Sequence, residues 1–334
     1  MKTGTSGHIA AYWAIRDKGR VQCLLCPFEC LLDDGKTGIC GGKRNVDSSL
    51  IAINYALTTS INLDPIEKKP LYHFYPGSKI LSIGPNGCNF GCQFCQNYAI
   101  SQENAPTRHL SPQEAAIAVK ETGSVGLAYT YAEPLIWFEY VMDASKAVRE
   151  AGLKNVLVTN GFINPEPLEE LLPLTDAMNI DIKSMDPAFY KKICHGKLEP
   201  VLETVRRSAS KTHVEITNLI IPGYNDSDEM FEKLTDFIAE MNPDIPLHFS
   251  RYHPDFKFTA SATPYETLLR AVTIARKKLR FVYTGNVSQE KYNQTICPGC
   301  GETVIGRHGF SMTRIAVKNG RCSHCGQWVN VVGC

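Results

Sequence analysis

An α/β barrel with a cysteine-rich module at each end is the fold this sequence predicts. Three observations carry that reading. Apolar, strand-like runs alternate with helical segments through the middle of the chain, several of those runs are polar along one face, and eleven of the thirteen cysteines fall into three spaced groups. Strands alternating with helices imply a parallel sheet or barrel, and the polar face chooses between them. In Asn179-Ile180-Asp181-Ile182-Lys183 the polar residues share one side and the isoleucines the other; His213-Val214-Glu215-Ile216-Thr217 and Leu247-His248-Phe249-Ser250 repeat the pattern. Side chains alternate across a strand. An open sheet covered on both faces reads as continuous apolar runs, whereas a barrel with helices outside and a polar lumen reads as these do. An exposed edge strand explains one such pattern but not three.

Taken in order, residues 1–70 form an N-terminal cysteine-rich extension with Cys23, Cys26, Cys30 and Cys40. Four thiolates so close in sequence hold a metal, either zinc or an auxiliary [4Fe–4S] cluster, and spacing does not separate the two. Residues 71–293 form the barrel, with strand-like runs at 80–83, 126–131, 155–159, 177–182, 213–221, 247–252 and 279–283. Ser111-Pro112-Gln113-Glu114 starts a helix, with a capping serine, proline at the first helical position and an early acid. Stretches 138–151 and 230–241 have helical apolar spacing. Residues 294–334 carry Cys297-Pro298-Gly299-Cys300 and Cys322-Ser323-His324-Cys325, two knuckles that read as a zinc ribbon, with a rubredoxin-like iron as the alternative. So short a tail buries little apolar surface, and the metal supplies much of its folding energy.

Composition narrows the class. Of 334 residues 43% are hydrophobic and 21% charged, with a formal net charge of +1, so there is no bulk electrostatic footprint for nucleic acid or an anionic membrane. Arg307, Arg314, Lys318 and Arg321 are too few to make the ribbon a nucleic-acid surface. No apolar run reaches the roughly 18 residues of a membrane span, and residues 1–7 carry no secretory pattern. A cytoplasmic location is expected, and in a reducing compartment the cysteines are not a disulfide framework. Cys194 reads as a buried free thiol or a substrate-side one.

Cys88, Cys92 and Cys95 carry the chemistry. The stretch Gly87-Cys88-Asn89-Phe90-Gly91-Cys92-Gln93-Phe94-Cys95 follows the first barrel strand directly. A structural zinc wants four ligands. Three thiolates on one loop suit a cubane cluster with one iron left open to bind a substrate or cofactor. The C-x3-C-x2-C spacing, with an aromatic before the last cysteine, resembles the signature of the radical S-adenosylmethionine (SAM) superfamily. Tyr131-Ala132-Glu133-Pro134 resembles its Gly-Gly-Glu-Pro element with the glycines replaced. Val158-Thr159-Asn160-Gly161, Asp181-Ile182-Lys183 and Tyr252-His253 resemble elements of the pyruvate formate-lyase activating enzymes. Asp64-Pro65-Ile66-Glu67-Lys68-Lys69-Pro70-Leu71-Tyr72-His73-Phe74-Tyr75-Pro76-Gly77, Val214 to Gly223 and Tyr283-Thr284-Gly285-Asn286 resemble the AmmeMemoRadiSam-system family across nearly the whole chain.

The resemblance implies a partial (β/α)6 barrel of the radical SAM type. It implies a [4Fe–4S] cluster on Cys88, Cys92 and Cys95 that reductively cleaves SAM to methionine and a 5′-deoxyadenosyl radical. Glu133 would accept from the methionine ammonium, and Asp181 and Lys183 would meet the cofactor's polar end. Thr159 and Asn160 would sit beside it, with a monovalent cation near Thr159 and Asp181. Phe94 would pack on the cluster or adenine, with His253 close by. It also implies a flavodoxin- or ferredoxin-type electron donor and Memo-type and AMMECR-type partners, and it leaves the substrate unidentified. Two rivals remain at this point: a glycyl-radical activase acting on a partner protein, and a non-enzymatic iron–sulfur or zinc protein.

Overall fold

The structure, a computed structural model, describes residues 7–288 and 291–334; most of the N-terminal stretch read above for a secretory pattern lies outside them. At its centre is an eight-stranded sheet: β1 (Ser60–Pro65), β2 (Lys79–Gly84), β3 (Gly126–Tyr129), β4 (Lys154–Thr159), β5 (Ala177–Asp181), β6 (His213–Ile220), β7 (Leu247–Arg251) and β8 (Val282–Gly285). β1 pairs antiparallel with β2, and β2 to β8 run parallel in chain order. Among the described residues one main helix lies between each pair of successive parallel strands: α1 (Pro112–Glu121), α2 (Phe138–Glu150), α3 (Pro165–Leu171), α4 (Leu198–Ala209), α5 (Asp228–Met241) and α6 (Tyr265–Ala275). Parallel crossovers are right-handed, so strands that follow one another without reversal put every helix on one face. Such a sheet curls into a partial barrel; a doubly wound sheet instead reverses order at a switch point. The expected (β/α)6 unit is present, extended by β8 and by β1.

The local signals hold. Ser111 Oγ accepts from Glu114 N at 3.2 Å, while Glu114 Oε2 accepts from Ser111 N at 2.7 Å, a complete capping box at the start of α1. Ile180 and Ile216 are fully buried on the outer, helix-facing side of their strands.

The polar lumen is filled at its lower end by the chain between β1 and β2. Pro70 O accepts from Asn179 Nδ2 at 2.8 Å. Buried Glu215 accepts from the backbone N–H groups of Tyr72 (3.0 Å) and His73 (2.7 Å), and meets Nε2 of His213 (3.0 Å) and of His248 (2.7 Å). Burial pushes the Glu215 carboxyl up, but His213 and His248 more than offset it and hold it well below the usual carboxylate range. Burial pushes His73 down to about 3, which keeps its imidazole neutral.

The C-terminal module closes this lower end. Its antiparallel strands Thr295–Ile296, Thr303–His308 and Ser311–Ile315 set Arg307 into the interface. That buried guanidinium donates to Tyr72 O at 2.6 Å and lies 4.2 Å from the Tyr72 ring centre. Val332 N donates to His73 O at 2.8 Å. At the N-terminus are two small sheets, one of which sets the Lys43 ammonium against Glu139 of α2 at 2.6 Å in a buried ion pair. Among the described residues no helix is long and apolar enough to cross a membrane.

Candidate active site

Cys88, Cys92 and Cys95 lie on the loop that leaves the C-terminal end of β2, the end of a barrel where βα loops build sites. Together with Glu133, Asp181 and Lys183 they line a cavity of about 540 Å³. Two close approaches shape the loop. A Cβ on Gly84 would stand 2.2 Å from Thr130 O, and one on Gly87, whose φ is +96°, 2.2 Å from Cys40 O. Sulfur-directed donors surround the triplet: Phe90 N lies 3.3 Å from Cys88 Sγ, and the Ser101 hydroxyl 3.1 Å from Cys95 Sγ. Such contacts tune the potential of a thiolate-bound cluster.

Glu133 follows β3 and caps the helical turn Pro134–Trp137. It is buried, and its carboxylate collects three donors: the Thr159 hydroxyl (2.6 Å) and Leu135 N (3.0 Å) on Oε1, and Asn160 N (2.8 Å) on Oε2. Burial raises its pKa to about 7, against the lowering effect of those donors. Asn160 carries the link onward, donating through Nδ2 to Asn89 Oδ1 at 2.8 Å and lying 3.6 Å from Cys88 Sγ. The turn after β4 is thereby locked both to Glu133 and to the cysteine loop.

Across the cavity the Lys183 ammonium meets Asp181 Oδ2 at 2.6 Å. Burial works against the ammonium, but the charges of Asp181 and Cys92 outweigh it and hold the Lys183 pKa above its ordinary value. Phe94 is buried in the same wall, its ring 5.9 Å from that of Phe189. The structure thus gathers Cys88, Cys92, Cys95, Phe94, Glu133, Thr159, Asn160, Asp181 and Lys183 around one space. His253 is exposed beyond the end of β7, outside that lining. Cys194 is fully buried behind the loop, its carbonyl accepting from Gly91 N at 2.9 Å.

A second group in the wall was not singled out from sequence. Tyr131, in the left-handed region at φ 67°, donates its hydroxyl to Asp64 Oδ2 at 2.5 Å. Lys69 meets the same oxygen at 2.7 Å and lies 4.4 Å from the Tyr131 ring centre. Lys68 and Lys69 both line the cavity. The only signal was their place in the Asp64 to Gly77 segment; the pairing of β1 with β2 is what carries them to the site.

The donor set fits a [4Fe–4S] cluster with one open iron: three thiols in one lining and no fourth. The remaining lining, with a carboxylate, an ammonium and hydroxyls beside Phe90, Phe94 and Leu219, suits a zwitterionic cofactor that also has an apolar body.

The C-terminal cysteines form a separate centre. All four Sγ atoms of Cys297, Cys300, Cys322 and Cys325 lie within 4.8 Å of one another, with Cys297 to Cys325 at 3.5 Å and Cys300 to Cys322 at 3.8 Å. Thiolates around one ion with metal–sulfur bonds of about 2.3 Å stand roughly 3.8 Å apart. Gly299 N and His324 N point at Cys297 and Cys322 Sγ (3.4 Å each), as metal knuckles require. Cys300→Ala is expected to remove about one metal equivalent per chain and to loosen the module. Metal analysis with limited proteolysis of the tail checks this; an unchanged metal content would contradict it.

Comparison with known proteins agrees with this geometry. Residues 82–238 match the Radical SAM superfamily. The uncharacterized protein MJ0808 of Methanocaldococcus jannaschii is 41% identical over 332 residues, covering 97% of this chain and 99% of that protein. Pyruvate formate-lyase 1-activating enzyme of Escherichia coli K12 is 28% identical over 131 residues, which is 38% of this chain and 53% of the enzyme; this chain therefore spans about half the length of that relative. Among solved structures, Streptococcus suis SuiB bound to its precursor peptide SuiA superposes with a TM-score of 0.51 at 19% identity, covering 66% of this chain and 51% of that one, which shows the shared fold. With its three-thiol loop at the mouth of a partial barrel, the chain belongs to the radical SAM superfamily and is a radical SAM enzyme, working with a [4Fe–4S] cluster and SAM.

Proposed function

We propose that this enzyme belongs to the AmmeMemoRadiSam-system branch of the superfamily and acts on a small molecule. The observation that carries the small-molecule reading is the cavity wall. Lys68, Lys69 and Pro70, from the segment joining β1 to β2, line the same space as the three cysteines and close it from the lower end of the lumen. The volume is that of a small-ligand site. Supporting the branch assignment is the Asp64 to Gly77 segment, which supplies that wall and the lumen filling.

Bound together, the cluster and SAM supply reductive cleavage to methionine and a 5′-deoxyadenosyl radical able to take hydrogen from a substrate. Around them the chain's residues have distinct tasks. Cys88, Cys92 and Cys95 would hold the cluster. Glu133 would accept from the methionine ammonium at Oε2, which has only one donor of its own, while Thr159 and Asn160 fix the carboxylate's orientation. Lys183 would face the cofactor carboxylate, positioned by Asp181. Phe94 and Leu219 would exclude water from the reacting centre. A flavodoxin- or ferredoxin-type donor would supply the electron, and Memo-type and AMMECR-type proteins would be functional partners. The activase alternative draws on 28% identity confined to 38% of this chain.

Extract from cells grown in deuterium oxide, split by molecular mass, tests the target. With reduced enzyme and unlabelled SAM, deuterium is expected in 5′-deoxyadenosine when the low-mass fraction is supplied. Label arising only from the protein fraction would establish the activase reading instead.

A further inference from the structure

We propose that Cys23, Cys26, Cys30 and Cys40 hold a second [4Fe–4S] cluster, set directly behind the wall of the active site. Their spacing in sequence leaves zinc and a cluster equally open; their arrangement in space does not. A single zinc draws four thiolates to roughly 3.8 Å of one another, and the C-terminal group is already gathered in that way. Among the described residues, no other set of three or more Cys, His, Asp or Glu side chains converges within 4.8 Å. The four N-terminal cysteines nevertheless line one cavity, with about 20 Å³ of void left between its walls. Cys88, Cys92 and Cys95 likewise share a cavity and do not converge to single-ion range. Two cysteine sets in this chain are therefore spaced more widely than a single ion requires, and one is gathered for a single ion.

The surroundings agree. The cavity is almost wholly apolar, and its one ammonium, Lys43, is neutralised by Glu139 at 2.6 Å. Cys23 N donates to Cys30 O at 3.0 Å, which folds that loop back on itself. Asn164 holds the loop to the barrel, donating through Nδ2 to Leu24 O at 2.8 Å. The loop carrying Cys40 touches the loop carrying Cys88 with no side chain between them, since Cys40 O occupies the space a Cβ on Gly87 would need. Asn89 lines the N-terminal cavity, while its neighbour Cys88 lines the active site. With four protein ligands the second cluster has no open iron, so it cannot take the cofactor. This site goes beyond the proposed reaction and does not depend on its substrate.

The full-length protein with Cys88→Ala, Cys92→Ala and Cys95→Ala combined, reconstituted anaerobically with iron and sulfide, isolates the site. It is expected to retain about four iron and about four sulfide per chain, with a reduced-cluster EPR signal that SAM leaves unchanged. Iron-free protein carrying about two zinc per chain would overturn the proposal. A complementary variant, Cys26→Ser with Cys30→Ser, guards against misfolding of the first. It is expected to lose about half of roughly eight iron per chain while keeping a signal that responds to SAM; iron equal to that of the native protein would also overturn the proposal. Failure of the native protein to cleave SAM would count against the reaction alone and leave the iron count of the triple variant as it was.

Discussion

Glu133→Ala is expected to weaken SAM binding by roughly 10- to 100-fold, the worth of one charge-assisted hydrogen bond of about 1.5–3 kcal/mol. The substitution also strands three buried donors, the Thr159 hydroxyl and the N–H groups of Leu135 and Asn160, and so destabilises the turn that holds Cys88 through Asn89. Glu133→Gln separates the two effects: it keeps an oxygen for the turn but removes the charge the ammonium would meet. The carboxyl titrates near 7 when buried, against an ordinary value of 4.5. Because the folded state binds this proton more tightly than the unfolded chain, stability from this group falls as pH rises between those values. Binding an ammonium requires the ionised form, so SAM affinity runs the other way, rising with pH and levelling off above 7. Equilibrium binding between pH 5.5 and 8 checks both signs, and a pH-independent affinity in the native enzyme would remove Glu133 from the cofactor site.

Glu215→Gln is expected to cost about 3–5 kcal/mol of stability, the range for removing one partner from a buried charged network. Glutamine has one acceptor oxygen where Glu215 presents two to Tyr72 N, His73 N, His213 and His248, so at least one of these donors loses its partner in the lumen. The native carboxyl is held below its ordinary range. Its stabilisation is therefore complete above that range and is lost only as pH falls through the lower, folded-state value. Anaerobic thermal unfolding near neutral pH gives the magnitude. Because Glu215 stands at the end of the lumen away from the cofactor, SAM affinity of the folded variant should stay within about twofold of native.

What was legible in the sequence was what local pattern encodes. Alternation in 179–183, 213–217 and 247–250 identified barrel strands and their inward faces, Ser111 to Glu114 gave a helix start, and each cysteine group proved to face a common space. What was not legible depends on contacts between distant residues. Arg307, counted among too few basic residues to matter, is a buried link to Tyr72, 235 positions away. The 70–74 stretch carries Leu71, Tyr72 and Phe74 and reads as ordinary core, yet its backbone satisfies Asn179 and Glu215 inside the barrel. Residues 60–65 alternate weakly and end in Pro65, so nothing local marks them as a strand that brings Asp64 and the adjoining Lys69 to Tyr131. His253, placed near the cofactor by resemblance, stands exposed just past the end of β7.

The central claim is that Cys88, Cys92 and Cys95 carry a cluster whose open iron engages SAM. Anaerobically reconstituted protein given dithionite and SAM tests it most directly, with 5′-deoxyadenosine measured by chromatography and mass spectrometry. The native chain should produce 5′-deoxyadenosine and methionine in equal amounts, and Cys92→Ala should produce neither. An iron-replete native protein that forms no 5′-deoxyadenosine, or a Cys92→Ala variant that forms as much as the native chain, would contradict it.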